Sequence, residues 1–122
     1  MSKNILIVDD SMSLRQVVSI ALTGAGYNVI EAGDGNEALT KLNGDKIHLI
    51  VSDVNMPGMD GITFVSHVKQ DANYKFTPII MLTTESQQEM IQKGKELGVK
   101  AWLVKPFKPE QMLDAVSKLI LP

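Results

Sequence analysis

The chain of 122 residues contains no cysteine. That removes a disulfide framework and any thiolate metal site, and it suits a reducing compartment. Long apolar runs are missing too: none approaches the ~20 residues that a membrane helix needs. The opening segment, MSKNILIVDD, lacks the apolar stretch and small-residue cleavage site of a secretory signal. Nor is there an excess of positive charge. Twelve basic residues stand against 14 acidic ones, a formal net charge of −2. A nucleic-acid groove needs a basic face, so neither nucleic acid nor a membrane is an expected partner. Composition does not shift along the chain, so one domain over residues 1–122 is expected, cytoplasmic in location. At this length roughly two-thirds of the unfolded surface can be buried.

What is present is a series of short apolar runs: Ile5–Val8, Tyr27–Ala32, Ile47–Ser52, Pro78–Leu82 and Ala101–Val104. They are rich in Ile and Val and mostly unbroken, which predicts strands buried on both faces, as in a parallel sheet. Helical spacing fills the intervals. Leu14, Val17, Val18, Ala21 and Leu22 form one stripe, with a stop at Gly24–Gly26. Asp34 and Glu37 make an acidic capping box ahead of Ala38, Leu39 and Leu42. Ile62, Val65 and Val68 mark a third helix. Ser86 and Glu89 make a capping box for a fourth, carrying Met90, Ile91 and Leu97. Pro109 suits the first turn of a fifth, whose stripe is Met112, Leu113, Val116, Leu119 and Ile120. Five strand–helix units in alternation predict an α/β fold, a doubly wound parallel sheet with right-handed crossovers.

In such sheets, sites form beyond the carboxyl ends of the strands. Asp9 and Asp10 follow the first strand, Asp53 the third, Thr83 the fourth and Lys105 the fifth. The second ends in Ala32–Gly33, which carries no evident chemistry. Each of these residues alone reads as a turn, a cap or a strand terminator. Together at one edge they mean more. Carboxylates brought close repel unless a cation joins them. Oxygen ligands without His or Cys suit a hard cation such as Mg²⁺, and a lysine and a hydroxyl opposite it complete a phosphoryl site. A carboxylate can take that phosphoryl group covalently. Asp53, alone at its strand end, is the candidate, while Asp9 and Asp10 suit the metal. Pro57–Gly58 fits the centre of a type II turn, which would carry the backbone carbonyl of Asn55 past the ion.

The motifs IVDD (Ile7–Asp10), SDVNMPGMDG (Ser52–Gly61), MLTT (Met81–Thr84) and VKPF (Val104–Phe107), at these intervals, resemble the receiver domain of two-component response regulators. The likeness runs from Asn4 to about Ile120, and with no output segment in the chain it is to the stand-alone chemotaxis type. It implies the (βα)₅ flavodoxin-like fold with strand order 2-1-3-4-5. It implies Asp53 as phosphoacceptor, Asp10 as a direct Mg²⁺ ligand, Asp9 as one acting largely through water, and the Asn55 carbonyl as a third protein ligand. Thr83 and Lys105 would each take a phosphoryl oxygen, and the Lys105–Pro106 bond would be cis. Asn55 and Glu85, two residues beyond Asp53 and Thr83, would tune dephosphorylation. The implied partners are a sensor histidine kinase of the chemotaxis kind, an output protein such as a flagellar motor switch component, and a phosphatase. The protein would act as a monomer and as a phosphoacceptor, not as a turnover enzyme.

The resemblance also implies a switch in which Thr83 moves toward the phosphoryl group and an aromatic three residues before the lysine turns inward. That aromatic is Trp102, where relatives carry Tyr or Phe. Trp is larger, with one donor and no acceptor; a swinging ring and a permanently packed one both fit. The output surface would span Gln87–Leu97, Lys100–Val104 and Glu110–Leu119.

Other classes fit less well. A metabolite phosphatase with an aspartate nucleophile needs a second acid where Asn55 stands. A flavodoxin needs a hydroxyl- and glycine-rich loop where Asp9 and Asp10 would repel the cofactor phosphate. His48 and His67, far apart in sequence, read as structural.

Overall fold

The computed structural model describes residues 3–84 and 88–120. Its elements alternate as β1 (Asn4–Val8), α1 (Met12–Gly24), β2 (Asn28–Ala32), α2 (Gly35–Lys41), β3 (Leu49–Asp53), α3 (Gly61–Gln70), β4 (Ile79–Thr83), α4 (Gln88–Glu96), β5 (Ala101–Val104) and α5 (Pro109–Leu119). The strands pair in parallel in the order β2-β1-β3-β4-β5. The doubly wound (βα)₅ fold is therefore the observed one.

Strand alternation divides the core between the two faces of the sheet. Ile5, Ile7, Leu49, Val51, Ile80 and Leu82 pack with Val18 and Leu22 of α1 and Met112 and Val116 of α5. Leu6, Val8, Ile50, Ile79 and Met81 pack with Ala38, Phe64, Val65 and Val68 of α2 and α3. This two-sided burial explains the unbroken apolar runs. One expected stripe is corrected: Val17 is 51% exposed and turns outward, so Val18 and Leu22 carry α1. A two-turn stripe drawn from spacing alone cannot tell adjacent positions 17 and 18 apart, and the docking angle of the helix settles it.

Helix starts follow the side chains that cap them. Ser11 accepts the Leu14 amide, Asp34 the Glu37 amide at 2.7 Å, and Asp60 the Thr63 amide at 2.7 Å. Pro109 occupies the first turn of α5, as its position predicts. Ser86, expected to cap α4, lies outside the described residues. Among the described residues no helix is long and apolar enough to cross a membrane.

Candidate functional site

At the carboxyl edge the sheet ladder runs one step past the strands. The Asp9 amide donates to the Ala32 carbonyl at 3.1 Å, the Val54 amide to Leu82 at 3.0 Å and the Lys105 amide to Thr83 at 2.7 Å. These bonds fix the backbone of the strand-end residues. Asp9, Asp53 and Thr83 are buried there, while Asp10 is exposed. One carboxylate oxygen from each of Asp9, Asp10 and Asp53 lies within 4.8 Å of the others. Among the described residues this is the one cluster of such groups close enough to hold an ion.

Lys105 reaches over the edge into the cluster. Its Nζ donates to Asp9 Oδ2 and pairs with Asp53 Oδ2, each at 3.0 Å. The Lys105–Pro106 bond is cis. The remaining oxygens are also engaged: Asp9 Oδ1 accepts the Ser11 amide at 2.8 Å, and Asp53 Oδ1 accepts the Asn55 amide at 3.3 Å. Burial pushes the Asp53 pKa above the usual carboxylate value; the hydrogen bond from Lys105 opposes this and the Asp9 charge adds to it. Burial pulls the Lys105 pKa down, but hydrogen bonds and charge from Asp53 and Asp9 outweigh it, and the net shift is upward. Thr83 Oγ1 donates to the Thr84 carbonyl at 3.1 Å.

In the loop after β3, Gly58 has the positive φ of 78° that the second central position of a type II turn requires. The Met59 amide donates to the Pro57 carbonyl at 3.0 Å, a bond that spans three residues. Tightness here returns the chain to Gly61, whose amide donates to the Val54 carbonyl at 2.8 Å. A Cβ on Gly61 would lie 2.1 Å from the Asp53 carbonyl oxygen. The glycine lets the start of α3 press against the backbone of Asp53.

Sequence reasoning missed Arg15. From the first turns of α1 its guanidinium donates to the Asp9 carbonyl and, at 3.2 Å, to Glu31 on β2. The edge of β2, which showed no evident chemistry, is where this tether is anchored. The signal was a basic residue one turn beyond the N-cap of α1, facing an acid on the neighbouring strand. Glu85 lies outside the described residues, and the Asn55 side chain is exposed. His48 sits at the opposite edge of the sheet, its Nδ1 accepting the Asn4 amide at 2.9 Å. His67 is exposed on α3. The two histidines form no site with the acids.

A parallel (βα)₅ sheet with three acids and a lysine converging at its carboxyl edge defines a receiver. The sequence pattern described as response regulator receiver domain matches residues 5–117. The chain is 35% identical to the "Chemotaxis protein CheY" of Pseudomonas aeruginosa over 94% of both chains. It is 39% identical to the "Probable chemotaxis protein CheY" of Rhizobium etli, over 93% of this chain and 88% of that one. Among solved structures, chemotaxis response regulator CheY4 of Vibrio cholerae superimposes with a TM-score of 0.92 at 49% identity, covering 98% of this chain and all of that one. The chain belongs to the response regulator receiver domain family. Receiver domains are signalling proteins, and membership implies a histidine kinase as phosphodonor and an output partner.

Proposed function

We propose that residues 1–122 act as one receiver unit that accepts a phosphoryl group on Asp53 from a sensor histidine kinase and then engages a partner protein. The observation that carries this is the Lys105 ammonium at 3.0 Å from both Asp9 and Asp53, with Asp10 completing the cluster. A single lysine between buried carboxylates is a cation already placed where a transferred anion will need one.

The donor set fits Mg²⁺, being all oxygen, with carboxylates from three positions and neither His nor Cys among them. Asp9, Asp10, Asp53 and the backbone carbonyl of Asn55 would hold it. Bound there, it would supply positive charge against the phosphoryl oxygens. The rest of the chemistry belongs to the chain. An oxygen of the Asp53 carboxylate attacks the phosphorus of a phosphoimidazole. The new O–P bond forms as the P–N bond breaks, and the imidazole leaves with the electron pair and takes up a proton from solvent. Lys105 exchanges its bond to Asp53 for one to a phosphoryl oxygen, and the Thr83 hydroxyl donates to another. Positioning and fixed charge do this work. Reversal is hydrolysis of the acyl phosphate, tuned by Asn55 and Glu85 and assisted by a phosphatase.

The output surface is α4, β5 and α5. Likeness to chemotaxis proteins along nearly the whole chain supports a flagellar motor switch component as the partner, a chemotaxis kinase as the donor, and a cytoplasmic monomer. Asp53→Asn is expected to abolish labelling by acetyl phosphate with Mg²⁺, read by phosphate-affinity electrophoresis; equal labelling of the variant would refute the assignment. Affinity capture with and without beryllofluoride, a phosphoryl mimic, tests the partner: a motor switch component should be retained only with it.

A further inference from the structure

Gly94 lies in the last turn of α4, two residues before the helix ends at Glu96, and glycine is among the least favourable residues within a helix. It is not among the glycines with positive φ, so the backbone makes no demand for it. The demand comes from across the interface. A Cβ at this position would lie 2.4 Å from Cη2 and 2.7 Å from Cζ2 of Trp102, and 3.4 Å from Cδ1 of Ile62. Non-bonded carbons prefer about 3.5–4.0 Å. The far edge of the indole therefore fills the space that any other residue at 94 would need. The ring packs into the core on the α2–α4 side of the sheet, and its Nε1 is buried without a hydrogen-bond partner.

We propose that Gly94 determines how this receiver signals: it seats Trp102 inward before phosphorylation, so a shift of α4, not a swing of the ring, carries the change at Asp53 to the output surface. The seat stands on packing alone; the signalling half rests on Asp53 as phosphoacceptor. Two observations favour α4 as the moving part. Gly94 is the only residue described in α4 that is buried, whereas α3 buries Gly61, Phe64, Val65 and Val68. Among its described residues α4 thus buries one position, and that position lies against this ring, while Met90 is partly buried on the same core. The unpartnered Nε1 also makes the seat responsive, because a movement of α4 that admits water or a carbonyl would give that donor a bond. The register Met81↔Trp102 and Thr83↔Val104 puts Thr83 and Trp102 on the same face of the sheet, so a movement of Thr83 is felt beside the ring.

Trp102 is the only tryptophan, so its fluorescence reads the seat directly. Because a close-packed interior excludes a quencher, acrylamide should quench wild-type Trp102 about threefold less than it quenches Gly94→Ala. Equal quenching overturns the seat. If Gly94→Ala folds poorly, melting temperature decides. The loss it causes should fall by about half in a Trp102→Phe background, whose smaller ring vacates the slot; equal losses overturn the seat. For the signalling half, beryllofluoride and Mg²⁺ are added to the wild type. Quenching should stay nearly constant while amide exchange across residues 88–96 changes about threefold or more. A rise in quenching to the Gly94→Ala level, or unchanged exchange in α4, overturns it. Acetyl phosphate labelling of both proteins separates the two readings. No labelling of the wild type defeats the phosphoacceptor reading alone, and labelling of both beside a swinging ring defeats the α4 reading alone.

Discussion

Asp53 is a nearly buried carboxylate whose pKa burial raises, against the pull of Lys105. For an acid shifted this way, the contribution to stability is complete below the unfolded pKa and is lost as pH rises through the higher folded value. Above that value the ionised group costs stability. Asp53→Asn should therefore raise the melting temperature at pH 7 by a few degrees. The gain should disappear below about pH 4, where the unfolded carboxyl is also protonated; thermal scans from acid to neutral pH would check both limbs. On the proposed role of Asp53 as phosphoacceptor, the same shift predicts that its ionised form is lost on acidification sooner than an ordinary carboxylate, so acetyl phosphate labelling should decline as pH falls. Lys105 is shifted upward, so its contribution holds below the ordinary lysine pKa and is lost only as pH rises through the raised value. It is constant across the neutral range. Arg15 offers a second test. Its guanidinium, mostly buried, joins α1 to Asp9 and Glu31. Arg15→Ala should cost about 1–3 kcal/mol in urea unfolding, and Arg15→Lys should recover only part, since an ammonium cannot present the planar fork.

At the scale of elements, strand ends and helix starts do the positioning together. β1 and β3 hand over to helices capped by Ser11 and Asp60, so a cap is also a support for the site. Asp60→Ala removes the acceptor of the Thr63 amide and should cost about 1 kcal/mol. Gly61→Ala should be worse. Its methyl would meet the Asp53 carbonyl oxygen and the Val54 backbone, which cannot rotate away. Overpacking of this kind costs about 1–3 kcal/mol, and because the displaced atom belongs to Asp53, labelling should fall more than stability does. Denaturation and labelling on the same two variants separate these effects. The order of elements was legible in the apolar runs and in caps such as Asp34. The outward turn of Val17 was not, because periodicity specifies a stripe and the neighbouring helix specifies its centre.

Across the whole molecule, the sheet gathers charges from residues 9, 10, 53 and 105 into one cluster. Three carboxylates against one lysine leave a negative excess that a hard cation would relieve. Mg²⁺ at ~100 times its Kd would add about 2.7 kcal/mol, several degrees in melting temperature for a domain of this size. Asp10→Asn should remove most of that increase, as differential scanning fluorimetry would show. On one face of this sheet α3 buries Gly61, Phe64, Val65 and Val68, whereas α4 buries only Gly94 among its described residues.

The amino-acid sequence by itself determined the alternation of strands and helices, the parallel sheet and the residues at its carboxyl edge. Apolar periodicity and strand-end chemistry are local signals, and together with four short motifs they sufficed for the family. Only the tertiary structure decided which oxygen of each acid faces Lys105, that Arg15 ties β1 to β2, and that the turn after Asp53 closes on three residues. Those facts depend on groups brought together across many positions of chain. The clearest case is Trp102. From sequence, a swinging ring and a packed ring were both open. Its contact with Gly94 brings together residues from α4 and β5, and it is seen only in the tertiary structure.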